Sequence, residues 1–253
     1  MTDFDGQRVL VTGGSRGIGR AVAIAFAARG ARVAVHYRAG ADAAAETLAA
    51  LAGDGHALVR ADLGTGDGAR AAVDGAVAAL GGLDVVVNNA GIFEHHPPDT
   101  TDFDDWQRAW RRTLAINLEG PAHVCWCAAR VLRAAGGGVI VNVGSRGAFR
   151  GEPDAPAYGA SKAGLNALSQ SLAVALAPHG IRVGVVAPGF VETDMAAALL
   201  DGPEGDGIRA QSPFGRVARP EEVASAVLFL ASADAAFASG AIIDVNGASY
   251  LRS

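Results

Sequence analysis

Seven short apolar runs, rich in valine and isoleucine, recur along the chain at 8–12, 32–36, 56–60, 84–88, 139–143, 182–187 and 241–245. Their hydrophobic positions are nearly continuous rather than alternating, which suits strands of a parallel sheet buried on both faces. Between them the period changes to that of a helix. In 67–80 the apolar positions are Ala69, Ala72, Val73, Ala76, Val77 and Leu80, and Gly81-Gly82 closes the pattern. Residues 103–132 read as one long helix or two. Residues 157–177 form a helix ended by Pro178 and Gly180, and 221–230 a helix that begins after Pro220, a favoured first-turn residue. The alanine-rich stretch 39–52 reads as a further helix. Strand and helix alternate throughout, which predicts an α/β, doubly wound (Rossmann) fold: a seven-stranded parallel sheet with helices on both faces. No linker, repeat or break in pattern divides 1–253, so a single domain is expected.

Composition narrows the function. Half of the 253 residues are hydrophobic, enough for a sizeable core, and the net charge is −5. An acidic chain lacks the basic footprint that nucleic-acid phosphates require. No long apolar span and no signal-like start are present, so neither a membrane partner nor export is expected and a cytoplasmic location is. Cys125 and Cys127 lie two apart in a helical segment and point to different faces; they are expected to be small buried hydrophobes, not a disulfide or a zinc site. His95-His96 sits in a proline-rich loop without a third ligand. It is expected to be a solvated or substrate-side loop, and no metal site is predicted.

Two clusters carry chemistry. The run Gly13-Gly14-Ser15-Arg16-Gly17-Ile18-Gly19 falls between the first strand and a helical pattern that stops at Gly30. Glycines there allow a tight turn and a close approach of backbone N–H groups to a pyrophosphate, and the helix N-terminus favours its charge. The spacing is Gly-x-x-x-Gly-x-Gly, not the commoner Gly-x-Gly-x-x-Gly. The second cluster is Tyr158-Gly-Ala-Ser-Lys162. Residues four apart share a helix face, so the lysine places a cation beside the phenol. That charge favours the phenolate and is expected to lower a pKa that starts near ~10. A tyrosine so tuned can exchange a proton with a carbonyl or alcohol.

With Asp62-Leu63, Asn88-Asn89-Ala90-Gly91, Asn117, Ser145, Pro188-Gly189 and Thr193 added in order, the chain resembles the short-chain dehydrogenase/reductase family over essentially its whole length. Within that family, Pro188-Gly-Phe-Val-Glu-Thr-Asp-Met195 and Val245-Asn-Gly247 make it most similar to the bacterial 3-oxoacyl-[acyl carrier protein] reductases and their relatives. The resemblance implies that Tyr158 gives the proton in reduction. It implies that Lys162 lowers the Tyr158 pKa and binds the nicotinamide ribose, that Ser145 orients the substrate oxygen, and that Asn117 holds a water linking Lys162 to solvent. It further implies that Asp62 accepts from the adenine and that Leu63 offers backbone contact. Asn89, Ala90 and Gly91 would lie by the adenine ribose. Pro188, Gly189, Val191 and Thr193 would flank the nicotinamide.

The second predicted strand runs into His36-Tyr37-Arg38 with no acid at its end, where NAD sites of this fold commonly hold the ribose hydroxyls. Tyr37 stands where NAD-specific members of the family carry Asp. Arg38 stands where many NADP-specific members carry a base, and Arg16 adds a second. Arginine meets phosphate with a rigid fork of donors, so NADP(H) is expected over NAD(H).

A substrate loop is expected at about 190–217, with a flexible centre at 202–207 and apolar contacts from Phe190, Met195, Leu199, Leu200 and Phe214. The leading substrate is a 3-oxoacyl thioester, free or carrier-bound. Gly136-Gly137-Gly138 and His179 stand where carrier-using reductases often present bases, so a ketone of secondary metabolism, a sugar or a steroid alcohol competes. A catalytically silent NADP(H)-binding module is the reading outside enzymology. The family is mostly tetrameric, which implies a homotetramer or homodimer. Trp126, Leu132, Leu168, Leu172 and the run 248–253 are candidate contacts.

Overall fold

The computed structural model describes residues 4–252. Those residues form one seven-stranded, wholly parallel sheet: β1 (Arg8–Val11), β2 (Arg32–Tyr37), β3 (Ala57–Arg60), β4 (Val85–Asn88), β5 (Gly138–Val143), β6 (Ile181–Pro188) and β7 (Ile242–Val245). The order is β3-β2-β1-β4-β5-β6-β7, so the winding reverses between β1 and β4. A crevice opens beyond the carboxyl ends of the strands at such a switch point. Every predicted strand is present, with its ends within two residues of expectation.

The continuous apolar runs are explained by two cores, one on each face. Helices α1 (Gly17–Ala27) and α2 (Ala41–Ala49) are the first two of the chain, and α1 covers one face. Val22 and Phe26 of α1 pack there with Val223 and Val227 from a late helix against Val9, Val11, Val33 and Val87. On the other face α3 (Gly66–Leu80) supplies Ala72, Val73 and Ala76, which meet Leu10, Val86, Ile140 and Val183. At the amino end of the sheet, Arg8 donates to both oxygens of Asp84 at 2.8 Å. The adjacent guanidinium holds the Asp84 carboxyl below its ordinary range.

The 103–132 stretch is two helices, α4 (Phe103–Leu114) and α5 (Gly120–Ala134), joined by a π-helical segment at Ala115–Glu119. Pro121 in the first turn of α5 cannot donate to the preceding turn. Next come a single turn, α6 (Gly147–Arg150), and the long α7 (Pro156–Leu176), followed by α8 (Asp194–Leu200), α9 (Gly205–Ala210) and α10 (Pro220–Ala231).

Several expectations need correction. The centre of 190–217 is not an irregular loop: α9 begins at Gly205. A Cβ at Gly205 would lie 2.0 Å from the Leu200 carbonyl oxygen, so glycine permits the tight reversal between α8 and α9. Ala196, Leu200, Ile208 and Val217 then form a small core of their own with Phe190. Both helices are too short for periodicity to betray them. His96 is not solvated: it is 1% exposed. It accepts from the Ala157 N–H at 3.1 Å and bonds the Glu94 carbonyl at 2.7 Å, with Trp106 edge-on. It therefore joins the 91–98 segment to the start of α7, while His95 stays exposed. Cys125 is buried, but Cys127 is only partly so. Leu132 is fully buried in the second core and offers no contact surface; Trp126 is exposed, and Leu168 and Leu172 are half-buried. Within 248–252, Tyr250 and Arg252 fold back onto Phe149 of the same chain; residue 253, like 1–3, lies outside the described residues.

Candidate active site

The glycine turn leaves β1 at Thr12, which fixes it to the neighbouring strand. The Thr12 hydroxyl accepts from the backbone N–H groups of Asn89 and Ala90 at 3.0 and 3.1 Å. In return the Asn89 amide donates to the Thr12 and Gly13 carbonyls. His36 holds the turn from the other side. Its Nδ1 accepts from the Gly13 N–H at 3.2 Å and its Nε2 pairs with the Ala61 carbonyl at 3.2 Å, which requires the neutral ring with its proton on Nε2. Burial pushes the His36 pKa down to about 4. Thr47 of α2 bonds the Ser15 carbonyl. The bonds of Thr12, His36 and Thr47 are not legible in the sequence because their partners lie on other strands and turns.

The glycines are there for space. Gly13 and Gly17 have φ of +62° and +53°, a region that side chains rarely adopt. A Cβ on Gly19 would stand 2.2 Å from the Gly13 oxygen, and one on Gly17 would stand 3.1 Å from the Thr193 side chain. The turn and Thr193 therefore meet across the crevice. Helix α1 opens after Arg16 with no side-chain cap, so its first N–H groups face outward beside Ile18, ready for an anion. Arg16 and Arg38 are exposed and Tyr37 is half-buried. Asp62 caps its own turn, accepting from the Gly64 N–H at 3.0 Å, and Leu63 is buried in the second core. This uncapped, Cβ-free cradle fits a dinucleotide phosphate, and Arg16 and Arg38 are exposed bases on the segments that flank it.

The Tyr/Lys pair lies on α7, packed against the end of β5. Lys162 is 4% exposed, and its ammonium donates to the Val143 carbonyl at 2.8 Å. Burial alone lowers its pKa to about 8. The ammonium stands 5.8 Å from the Tyr158 ring centroid. The expected downward shift of the tyrosine is not found. Desolvation raises the Tyr158 pKa, the Ser145 hydroxyl opposes it, and Glu152 raises it further. Lys162, whose ammonium is turned to the Val143 carbonyl, is not among the influences that set it. Ser145 also accepts from the Gly147 N–H at 3.0 Å, and Phe93 packs edge-on to Tyr158 at 5.1 Å.

Asn117 sits in the π segment, fully buried. Its amide oxygen accepts from the Ile92 N–H at 2.8 Å, and its nitrogen donates to the Ile92 carbonyl at 2.9 Å and towards Ser161. A Cβ on Gly91 would meet Asn117 Oδ1 at 3.4 Å and Lys162 Nζ at 3.5 Å, so these three residues share one corner. Gly189 donates to the Val245 carbonyl, Pro188 accepts from the Arg146 N–H, and Val191 bridges to Ala218. Ser145, Tyr158, Lys162, Asn117 and Gly91 thus gather at the crevice, and Thr193 meets the glycine turn at Gly17.

Residues 13–248 match a family model described as enoyl-(acyl carrier protein) reductase. The chain is 44% identical to a cis-4-hydroxycyclohexanecarboxylate dehydrogenase of Sinomonas cyclohexanicum, across 98% of both proteins. It is 39% identical to the 3-oxoacyl-[acyl-carrier-protein] reductase of Escherichia coli K12, across 98% of this chain and 99% of that one. A crystal structure of a short-chain dehydrogenase from Burkholderia cenocepacia in complex with NADP superimposes with a TM-score of 0.88. It is 38% identical and covers 97% of this chain and 98% of that one. The chain belongs to the short-chain dehydrogenase/reductase family. It is accordingly an oxidoreductase that acts between alcohols and ketones with a nicotinamide cofactor. Among the described residues no helix is long and apolar enough to cross a membrane.

Proposed function

We propose that the enzyme is an NADP(H)-dependent ketoreductase and secondary-alcohol dehydrogenase, with Tyr158 as its proton donor in reduction. The observation that carries this reading is the convergence of the Tyr158 phenol, the Ser145 hydroxyl and the buried Lys162 ammonium beside the cradle. Bound nicotinamide would supply the hydride chemistry. The chain's part is to bind, orient and move one proton. Ser145 holds the carbonyl oxygen, and Tyr158, kept protonated by burial, donates to that oxygen as charge develops there. Lys162 holds the ribose and steadies the phenolate left behind, and Asn117 keeps the corner next to Gly91 in shape. The N–H groups of Arg16 through Gly19 take the pyrophosphate, with Gly13 and Ser15 shaping the turn. Arg38, Arg16 and Tyr37 take the 2′-phosphate side. Asp62, Leu63, Asn89 and Ala90 line the adenosine, and Pro188, Gly189, Val191 and Thr193 the nicotinamide.

Residues 190–217 close over the substrate. A 3-oxoacyl thioester is the first substrate to assay, supported by the likeness to 3-oxoacyl reductases; other ketones follow. The exposed Trp126 on α5 supports a homo-oligomer, which the solution mass would reveal as a multiple of the chain mass.

The test is oxidation of NADPH and NADH with an acetoacetyl thioester and a ketone panel. Tyr158→Phe should reduce turnover by about 10²–10⁴-fold, the size of a lost general acid, and leave NADPH binding intact. Arg38→Ala should weaken NADPH about 10- to 100-fold, the size of a charge-assisted bond, and NADH little. Undiminished turnover by Tyr158→Phe would remove the tyrosine from the chemistry.

A further inference from the structure

Helix α6 is followed by Gly151 and then by Glu152, a half-buried acid. Among the described residues its side chain makes no hydrogen bond and no ion pair. The charged groups around it are engaged elsewhere. Arg150 donates to Gln211 at 3.1 Å, Arg146 donates to the Ser249 hydroxyl at 2.6 Å, and Asp154 stands 4.0 Å from His95. Burial pushes the Glu152 carboxyl up, while Arg150 and Arg146 act through space to favour its ionised form. Polar groups withdrawn from water are as a rule hydrogen-bonded, so an acceptor left without a protein partner calls for another one.

The place of Glu152 ties it to both hydroxyls of the catalytic corner. A Cβ on Gly147 would stand 2.4 Å from Glu152 Oε1, so the missing side chain at Gly147 makes room for the carboxyl group. The Gly147 N–H in turn donates to Ser145 Oγ at 3.0 Å. Both contacts are made on one residue, so ordinary backbone dimensions hold Glu152 Oε1 and Ser145 Oγ no more than about 8 Å apart. On the α7 side, a Cβ on Gly159 would stand 3.9 Å from Glu152 Cβ, and Gly159 follows Tyr158 in the chain. Among the described residues Glu152 is the one carboxyl group whose charge acts on the Tyr158 phenol.

We propose that Glu152 is a specificity residue that accepts a hydrogen bond from a substrate hydroxyl close to the reacting carbonyl, so that the enzyme uses hydroxy ketones and diols in preference to plain ketones and alcohols. The inference rests on the ketoreductase reading for its reaction and adds a second polar group to the substrate. Two hydrogen bonds of about 2.8 Å each, with the two oxygens of a hydroxy ketone between them, cover the distance from Ser145 to Glu152. A hydroxyl suits the site better than an ammonium, because Arg150 and Arg146 already offset part of the negative charge. A plain alkyl group in the same place displaces water and leaves the acceptor unpaired, which is what makes such a contact selective.

The experiment measures kcat/KM for NADPH oxidation with two isosteric pairs, hydroxyacetone against butanone and 4-hydroxybutan-2-one against pentan-2-one. The enzymes are the wild type, Glu152→Met and Glu152→Gln. The inductive pull of the hydroxyl is the same in every variant, and the influence of Glu152 on Tyr158 is the same for both ketones of a pair. Both cancel when hydroxy-to-plain ratios are compared between variants. Glu152→Met should lower the ratio of at least one pair by about 10-fold, the low end for a hydrogen bond to a charged group, since Glu152 is only half-buried. Glu152→Gln, still an acceptor, should keep part of it. Ratios unchanged by Glu152→Met in both pairs, with Tyr158-dependent turnover, would overturn the hydroxyl subsite and leave the ketoreductase intact. If no ketone is turned over, the ketoreductase reading fails on its own. The subsite is then decided by saturation-transfer NMR of butane-1,2-diol and butan-2-ol on the NADPH complex: a preference for the diol that Glu152→Met abolishes supports it, and no preference overturns it. Should Glu152→Met fail to fold, Glu152→Asp decides the question. It keeps the charge but draws it back by one methylene, so it should lower the ratio, and an unchanged ratio would overturn the subsite.

Discussion

Tyr158 and Lys162 are both shifted towards their neutral forms, and for the same reason. Each is enclosed by protein, and a charge removed from water is disfavoured. The tyrosine pKa moves up and the lysine pKa moves down to about 8. A raised tyrosine is protonated across the neutral range, the state needed to donate in reduction; oxidation needs the phenolate. Reduction should therefore hold level from about pH 6 to 8 and decline above about 8, as Lys162 loses the charge that steadies the phenolate. Oxidation should climb through the same range. Profiles of kcat/KM in both directions check this, and oxidation fastest below neutrality would contradict it. His36 has the opposite visibility, silent in catalysis and exposed in stability. Its folded pKa of about 4 lies below the unfolded value. The unfolded chain thus takes up the proton first, and stability falls as pH drops from about 6.5 towards 4, by up to about 3 kcal/mol. Unfolding curves of the wild type and His36→Gln over that range should converge if this is so. A parallel pair of curves would show that His36 does not titrate there.

At the scale of elements, the β1–α1 turn is a cradle built by subtraction. Gly19 faces the Gly13 carbonyl and the Asn89 amide, with no room for one carbon: the added Cβ would stand 2.2 and 2.5 Å away. Gly19→Ala must open the turn and break its bonds to Asn89. The expected cost is about 1–3 kcal/mol, as for other overpacked sites, together with loss of cofactor affinity by at least about 100-fold, a misplacement effect. Fluorescence titration with NADPH and thermal denaturation read the two separately. The π segment between α4 and α5 shows a different use of irregularity. It sets Asn117 inside the fold, where both ends of its amide bond Ile92. The sequence leaves 103–132 open as one helix or two and does not show the π turn between them, whose Asn117 is held by Ile92, a partner far away in the chain. His96 belongs to the same case: its polarity and its proline neighbours suggest solvent, and only the arrival of α7 and Trp106 buries it.

For the whole molecule, the two large cores are shared by the sheet and its covering helices, whereas α8 and α9 rest on a separate small cluster. Segments with few buried apolar contacts open at low cost. Amide exchange in 194–210 should accordingly be faster than in β5 or β6, and slowed selectively by NADPH. Uniform protection throughout the chain would argue that this segment is no cover.

What the chain determines by itself is what depends on local order. Continuous apolar runs identify strands buried on both sides, the 3.6 period identifies helices, and glycines between a strand and a helix identify the phosphate cradle. The ordered set from Thr12 to Thr193 identifies the family. Tertiary structure alone decided which forces prevail where these parts meet. The tyrosine moved up instead of down because the folded surroundings desolvate it, an effect that helical spacing does not contain. Arg146, an unremarkable residue in a loop, became a buried cation because Phe190, Ser249 and the 190–217 segment closed around it. Desolvation is a property of assembled surroundings, so its consequences for charge were legible only once the chain had folded.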